Sequence, residues 1–88
     1  MFKAIQTGDY ELVSYYLQIG VDPNYQHPEY MAAPLIESIR FNQLKIAKLL
    51  LENGAEANIK EDWAGETPLS VAKLKKNEAA TKLLKAYL

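Results

Sequence analysis

The feature that most constrains this chain is a self-similarity with a period of 34 residues. Sliding the sequence by that step pairs Gly20 with Gly54, Asn24 with Asn58, Pro34 with Pro68 and Leu35 with Leu69. It also pairs Ile5 with Ile39, Leu17 with Leu51, Lys48 with Lys82, Leu49 with Leu83 and Leu50 with Leu84. The matches fall on turn residues and on core positions. A period of this length marks a repeat architecture, in which one unit cannot bury its apolar face alone and stacking neighbours supply the core.

Each unit reads as two helices joined tightly. In the second, Pro34 suits the first position of a helix, where its missing N–H costs nothing. Leu35, Ser38 and Ile39 then line one face, and after an interruption at Asn42 a second stripe follows at Leu44, Ala47, Leu50 and Leu51, widened by Ile46 and Leu49. Asn53-Gly54 closes it, since glycine readily takes the left-handed conformation of a helix C-terminus. The spacing predicts helices of about eight and about ten residues forming an antiparallel hairpin. In the third unit Thr67 caps and Pro68 opens the first helix, with Leu69, Ala72 and Leu74 expected to face inward. A second helix restarts near Asn77 and runs through Ala80, Leu83, Leu84 and Tyr87. The first unit is truncated: Phe2-Lys3-Ala4-Ile5, a turn at Gly8-Asp9, then Leu12, Val13, Tyr16 and Leu17 before Gly20.

Between the helix pairs lie polar stretches, residues 20–33 and 54–66, rich in turn-formers such as Asp22-Pro23-Asn24 and Ala64-Gly65. Connections this long in a small domain carry function or structure of their own. Asn24 and Asn58, at matching places, are read as structural, bonding local backbone within their turns.

The segment Gly65-Glu66-Thr67-Pro68-Leu69-Ser70-Val71-Ala72 resembles the ankyrin signature G-x-T-P-L-x-x-A, and Leu49-Leu50-Leu51-Glu52-Asn53-Gly54-Ala55-Glu56-Ala57-Asn58 resembles its L-L-L-x-x-G-A-D-x-N ending. Gly8-Asp9-Tyr10-Glu11-Leu12-Val13 and Gly20-Val21-Asp22-Pro23-Asn24 are similar to the same motif in the first unit. The resemblance covers essentially the whole chain. It departs in its spacing, 34 residues where the family has 33, in Ala33 where Thr is expected, in Asn42 and Lys76 where Gly is common, and in Glu37 where the family has an apolar residue. The resemblance implies an all-α ankyrin-repeat solenoid of stacked helix–turn–helix units with protruding hairpin-like loops. One domain over residues 1–88 is expected, with repeats at about 1–24, about 25–58 and about 59–88. It further implies a protein–protein interaction module, with partners bound along the concave face formed by finger loops and first helices.

Composition agrees with such a module. The chain has no cysteine, which removes disulfides, thiolate metal sites and a cysteine nucleophile. A net charge of −1 argues against a dedicated nucleic-acid binder. Charge is uneven: residues 1–30 hold one lysine against four acids, whereas Lys73, Lys75, Lys76, Lys82 and Lys85 form a late basic strip, read as a solvated helix face. No apolar run approaches the roughly 20 residues of a membrane helix, so a soluble, cytoplasmic protein is expected. No nucleophile–base motif or phosphate-cradling loop stands out, so no enzyme, cofactor or metal is expected. His27 with Glu29 supplies at most two ligands and does not make a closed metal site.

On the implied architecture, the finger of unit two presents Tyr25, Gln26, His27, Pro28, Glu29, Tyr30 and Met31, and that of unit three Lys60, Glu61, Asp62 and Trp63. The first-helix ends present Gln6, Thr7, Arg40, Phe41, Leu74 and Lys75. Aromatic residues, Met and Arg favour interface centres, so Tyr25, His27, Tyr30, Met31, Arg40, Phe41, Trp63, Leu74 and Lys75 are the partner-binding candidates. The competing reading packs Tyr30 and Trp63 against neighbouring fingers and puts Phe41 between repeats. A second function is also open, in which Tyr10 and Tyr15 on the exposed edge of the first unit form a weak homodimer.

Overall fold

The computed structural model of the chain describes residues 1–26, 32–62 and 65–88. These form six helices: α1 (Phe2–Thr7), α2 (Tyr10–Gln18), α3 (Pro34–Arg40), α4 (Leu44–Glu52), α5 (Pro68–Leu74) and α6 (Glu78–Lys85). The described residues contain no strand. Each odd-numbered helix packs on the even-numbered one after it, α3 lies between α1 and α5, and α2 packs on α4. None of the helices is long and apolar enough to cross a membrane.

The core follows the stripes. Ile5, Val13, Leu35, Ile36, Ile39, Ile46, Leu50 and Leu84 are buried, with Tyr16, Leu17, Leu44, Leu49, Leu69 and Leu83 packed around them. Leu74 is the exception: expected to face inward with Leu69 and Ala72, it is 77% exposed. Two residues along a helix are about 200° round its axis, so Leu74 and Ala72 cannot share a face.

Helix starts vary with the side chain available. Asp9 caps α2 by accepting from Leu12 N–H, Asn77 caps α6 by accepting from Ala80 N–H, and Thr67 with Ser70 forms a reciprocal capping box on α5. Ala33, before α3, gives no side-chain cap, and its methyl is buried in the core instead.

Five of the six helix ends, all but that of α6, are alike. Gly8, Asn42 and Lys76 follow the inner helices at 34-residue intervals, and all three are left-handed, with φ of 78°, 55° and 53°. In each case the next amide, of Asp9, Gln43 or Asn77, donates back five residues to Ala4, Ser38 or Ala72 at 2.7–2.9 Å. Val21 and Ala55 close α2 and α4 the same way, after Gly20 and Gly54. This is the Schellman closure, which satisfies otherwise orphaned carbonyls. A Cβ on Gly8 would also lie 2.8 Å from the Gln43 side-chain nitrogen, the movable end of a flexible side chain, so it is the left-handed backbone that favours glycine there. Asn tolerates the left-handed region; lysine holds it only under strain.

The stack is tied by side-chain amides as well as by apolar packing. Asn24 donates to Gly54 O at 3.0 Å and accepts from Glu56 N–H at 2.8 Å. Gln26 repeats this geometry on Lys60 O and Asp62 N–H. The local bonding expected of Asn24 is therefore not what its side chain does. It spans to the following repeat, while Asp22 accepts the Asn24 amide within the turn.

The strain at Lys76 gives a test. Lys76→Gly should raise stability by about 1 kcal/mol, seen as a melting shift of about 4–8 °C in this size range. Gly8→Ala should lower it. Thermal denaturation followed by circular dichroism checks both.

Candidate functional site

The candidate residues fall in two places: the ends of the inner helices, where each turns into its partner helix, and the fingers, which join each outer helix to the next inner one. Of the residues expected there, Arg40 is the last of α3 and Phe41 follows it, 46% exposed. Leu74 ends α5, with Lys75 next to it and also exposed. Tyr25 is exposed at the base of its finger. His27, Tyr30, Met31 and Trp63 lie outside the described residues.

Arg40 is not a free surface cation. Its guanidinium makes two parallel bonds to the Glu61 carboxylate, at 2.7 and 2.8 Å, and lies 3.5 Å from Glu37 Oε1. Gln6 Nε2 donates to the other Glu37 oxygen at 2.8 Å. One polar chain, Gln6–Glu37–Arg40–Glu61, thus crosses all three repeats. Glu61, expected on the finger's outer surface, is only 2% exposed, and Glu37 only 6%. A buried carboxylate persists only when paired and hydrogen-bonded, and the planar fork of arginine meets that need. The Glu61 hydrogen bond, aided by the charges of Glu61 and Glu37 and opposed by desolvation, holds the Arg40 pKa above its ordinary value. Its contribution is therefore present throughout neutral pH and is lost only in strong alkali.

The pairing aims the third finger. Glu61 N–H donates to Glu66 O at 2.8 Å and Gly65 N–H to Glu61 O at 3.1 Å, closing the finger in hairpin fashion. With Gln26 holding the backbone at Lys60 and Asp62, and Arg40 holding the side chain between them, the loop is gripped by residues from the repeat before it.

Beside this network opens a cleft of about 600 Å³ lined by Arg40, Asn42, Lys75, Lys76, Asn77 and Glu78. Asn77 Nδ2 donates to Asn42 Oδ1 at 3.0 Å, bridging the two helix turns. The sequence-based candidates include Arg40 and Lys75 but not the other four. The phase of Asn42 and Lys76 with Gly8 was the available signal for a common turn geometry. Glu37 had announced itself as a charge on an apolar stripe, whereas nothing in the pattern around Glu61 marks it as buried. No group of three or more His, Asp or Glu residues suited to a metal ion occurs among the described residues.

Removing one partner of the buried pair should be costly. Arg40→Ala should lose about 2–3 kcal/mol, less than a fully buried pair because water reaches the guanidinium. Arg40→Met/Glu61→Met should lose less than the single change, since the Glu61 carboxylate is removed with its cation and only Glu37, still bonded by Gln6, loses a charged partner. Urea denaturation of the three proteins measures the difference.

The sequence profile of the family described as Ankyrin repeats (3 copies) matches residues 1–87. An ankyrin repeat protein of fowlpox virus (strain NVSL) is 35% identical over 97% of this chain and 14% of its own length. The ARF GTPase-activating protein Git of Drosophila melanogaster is 34% identical over 98% of this chain and 12% of its own length. An ankyrin repeat protein of Rickettsia felis is 37% identical over 81% of this chain and 31% of its own length. The chain thus spans less than a third of each of these relatives. Ankyrin repeats are in general protein–protein interaction modules. With six helices in stacked pairs and a family match over nearly every residue, this chain belongs to the ankyrin repeat family.

Proposed function

We propose that this chain binds a protein partner through its finger loops and the concave face of its inner helices. The observation that carries the reading is the exposure of two large apolar side chains, Phe41 and Leu74, at the ends of neighbouring inner helices. Each is the chain neighbour of a residue lining the cleft. Large apolar groups beside fixed polar ones are the make-up of interface centres. The Arg40–Glu61 pairing supports the reading in a second way, because a finger held in place before binding loses little entropy on contact. No catalytic role is proposed, and a cytoplasmic setting belongs to this same reading.

A second function is favoured by a different observation. Leu12, Tyr15 and Ile19 are all exposed and fall on one face of α2 and its C-cap, with Tyr10 exposed nearby. One repeat later, the corresponding Ile46 is buried and Leu49 half-buried beneath the first helix pair. An uncovered face of this kind suits self-association of two copies.

Two measurements separate these readings. In affinity capture from a cell extract, a protein retained by wild type should be lost by a folded Tyr30→Ala/Trp63→Ala/Phe41→Ala variant; equal retention would move the site off the concave face. For self-association, light scattering at micromolar concentration should show a dimer that Tyr10→Ser/Tyr15→Ser reduces to monomer. A wild-type monomer at every concentration would sink that reading.

A further inference from the structure

The cleft at the inner-helix ends has a chemistry of its own, and from it we infer that the partner enters as an acidic segment with apolar side chains next to its carboxylates. This inference rests on the concave-face reading above and names the partner's chemistry at that site. The cleft walls carry the cations Arg40, Lys75 and Lys76, the amides of Asn42 and Asn77, and a single acid, Glu78. Arg40 is already committed to Glu61, with Glu37 behind it, so its charge is largely answered within the molecule. The lysines differ. Lys75 and Lys76 are exposed, and neither has a carboxylate at ion-pair distance among the described residues. Lys73, one turn back on α5, is exposed too.

Three features make these ammonium groups a docking surface rather than a solvated strip. First, Lys75 and Lys76 lie in the turn between α5 and α6, whose backbone is closed by Lys76 N–H to Lys73 O and Asn77 N–H to Ala72 O. The Asn77–Asn42 bond ties that turn to the one before it, so the cleft is formed before any ligand arrives. Second, Phe41 and Leu74 stand next in the chain to lining residues, exposed and able to take apolar side chains. Third, the cleft is shallow and open to solvent, which suits a surface segment and not an enclosed small molecule. Lys82 and Lys85, by contrast, lie along α6 outside the cleft.

The same charges argue against a nucleic acid. The chain carries a net charge of −1, and two buried carboxylates back the cleft wall. A regular array of phosphates would meet that field along most of its length, whereas one or two carboxylates need only the two lysines.

The test selects from a random dodecapeptide phage library on the wild-type chain, then measures the selected peptides by fluorescence anisotropy. Asp and Glu should be enriched beside Leu, Ile or Phe. Affinity should fall at least about tenfold on Lys75→Glu/Lys76→Glu and should weaken as salt rises from about 50 to about 300 mM. Lys82→Glu/Lys85→Glu, on α6, should change it little, and circular dichroism verifies that both variants fold. Selected peptides without acidic enrichment, equal binding by Lys75→Glu/Lys76→Glu, no selected peptide at all, or tighter binding of an oligothymidine probe would each overturn the inference. Affinity capture keeps the two levels apart. A partner lost by the Tyr30/Trp63/Phe41 variant but held by Lys75→Glu/Lys76→Glu would refute the acidic segment and leave the concave-face reading standing. A partner held by the former variant would refute that reading itself.

Discussion

The middle inner helix holds the molecule together because it has no solvent face to speak of. Of the seven residues of α3, six are buried, with α1 on one side and α5 on the other. Burying Leu35, Ile36 and Ile39 alone is worth roughly 5–9 kcal/mol at the usual values per side chain, comparable to the net stability of a small domain. Neither outer pair can bury its own inner helix without this one. The stacking of neighbouring pairs, more than any single helix, is therefore what the rest of the structure depends on.

That burial imposes the polar arrangement. A helix covered on both sides leaves no route to water for Glu37, so the carboxylate takes Gln6 from the repeat before and Arg40 from its own last turn. Arg40 in turn reaches Glu61, and every buried side-chain nitrogen and oxygen among the described residues finds a partner. The network is a consequence of stacking, and it also restricts the stack. The amides of Asn24 and Gln26 bond backbone groups at fixed places in the next repeat, and a slip in register would break those bonds as well as the Arg40–Glu61 pair.

The two outer faces of the stack differ in kind. On the first pair, Leu12, Tyr15 and Ile19 are exposed where the second pair has Ile46 and Leu49 under cover. On the third pair, Ser70 and Lys73 occupy the places of Ile36 and Ile39, so that face is wetted without exposing large aliphatic groups. Leu74 breaks the pattern at the same edge, in the place that Arg40 holds one repeat earlier. Large apolar side chains are thus exposed at the α2 edge and at the inner-helix ends, the two places to which a binding role is assigned, and also at Tyr25 and at Tyr87 and Leu88 after α6.

Much of this was legible in the residues. The 34-residue phase marked the helix pairs, and Thr67-Pro68 and Asn77 marked their starts, because caps are local chemistry; Asn42 and Lys76 read as departures from glycine, yet both keep its left-handed turn. The helical period likewise placed most of the core, though it misled at Leu74, where the two-residue step from Ala72 meant the opposite face. The partners of polar side chains that reach between repeats were not legible. Asn24 looked like a local turn residue and Glu61 like a displayed finger residue, yet one clamps the next repeat and the other is buried against Arg40. By itself, the sequence determined the repeat, its helices and their ends, since those follow from contacts within a few residues. Only the tertiary structure decided which charges are buried, which finger is held and where a cleft opens, because those depend on groups 21 to 36 residues apart meeting across the stack.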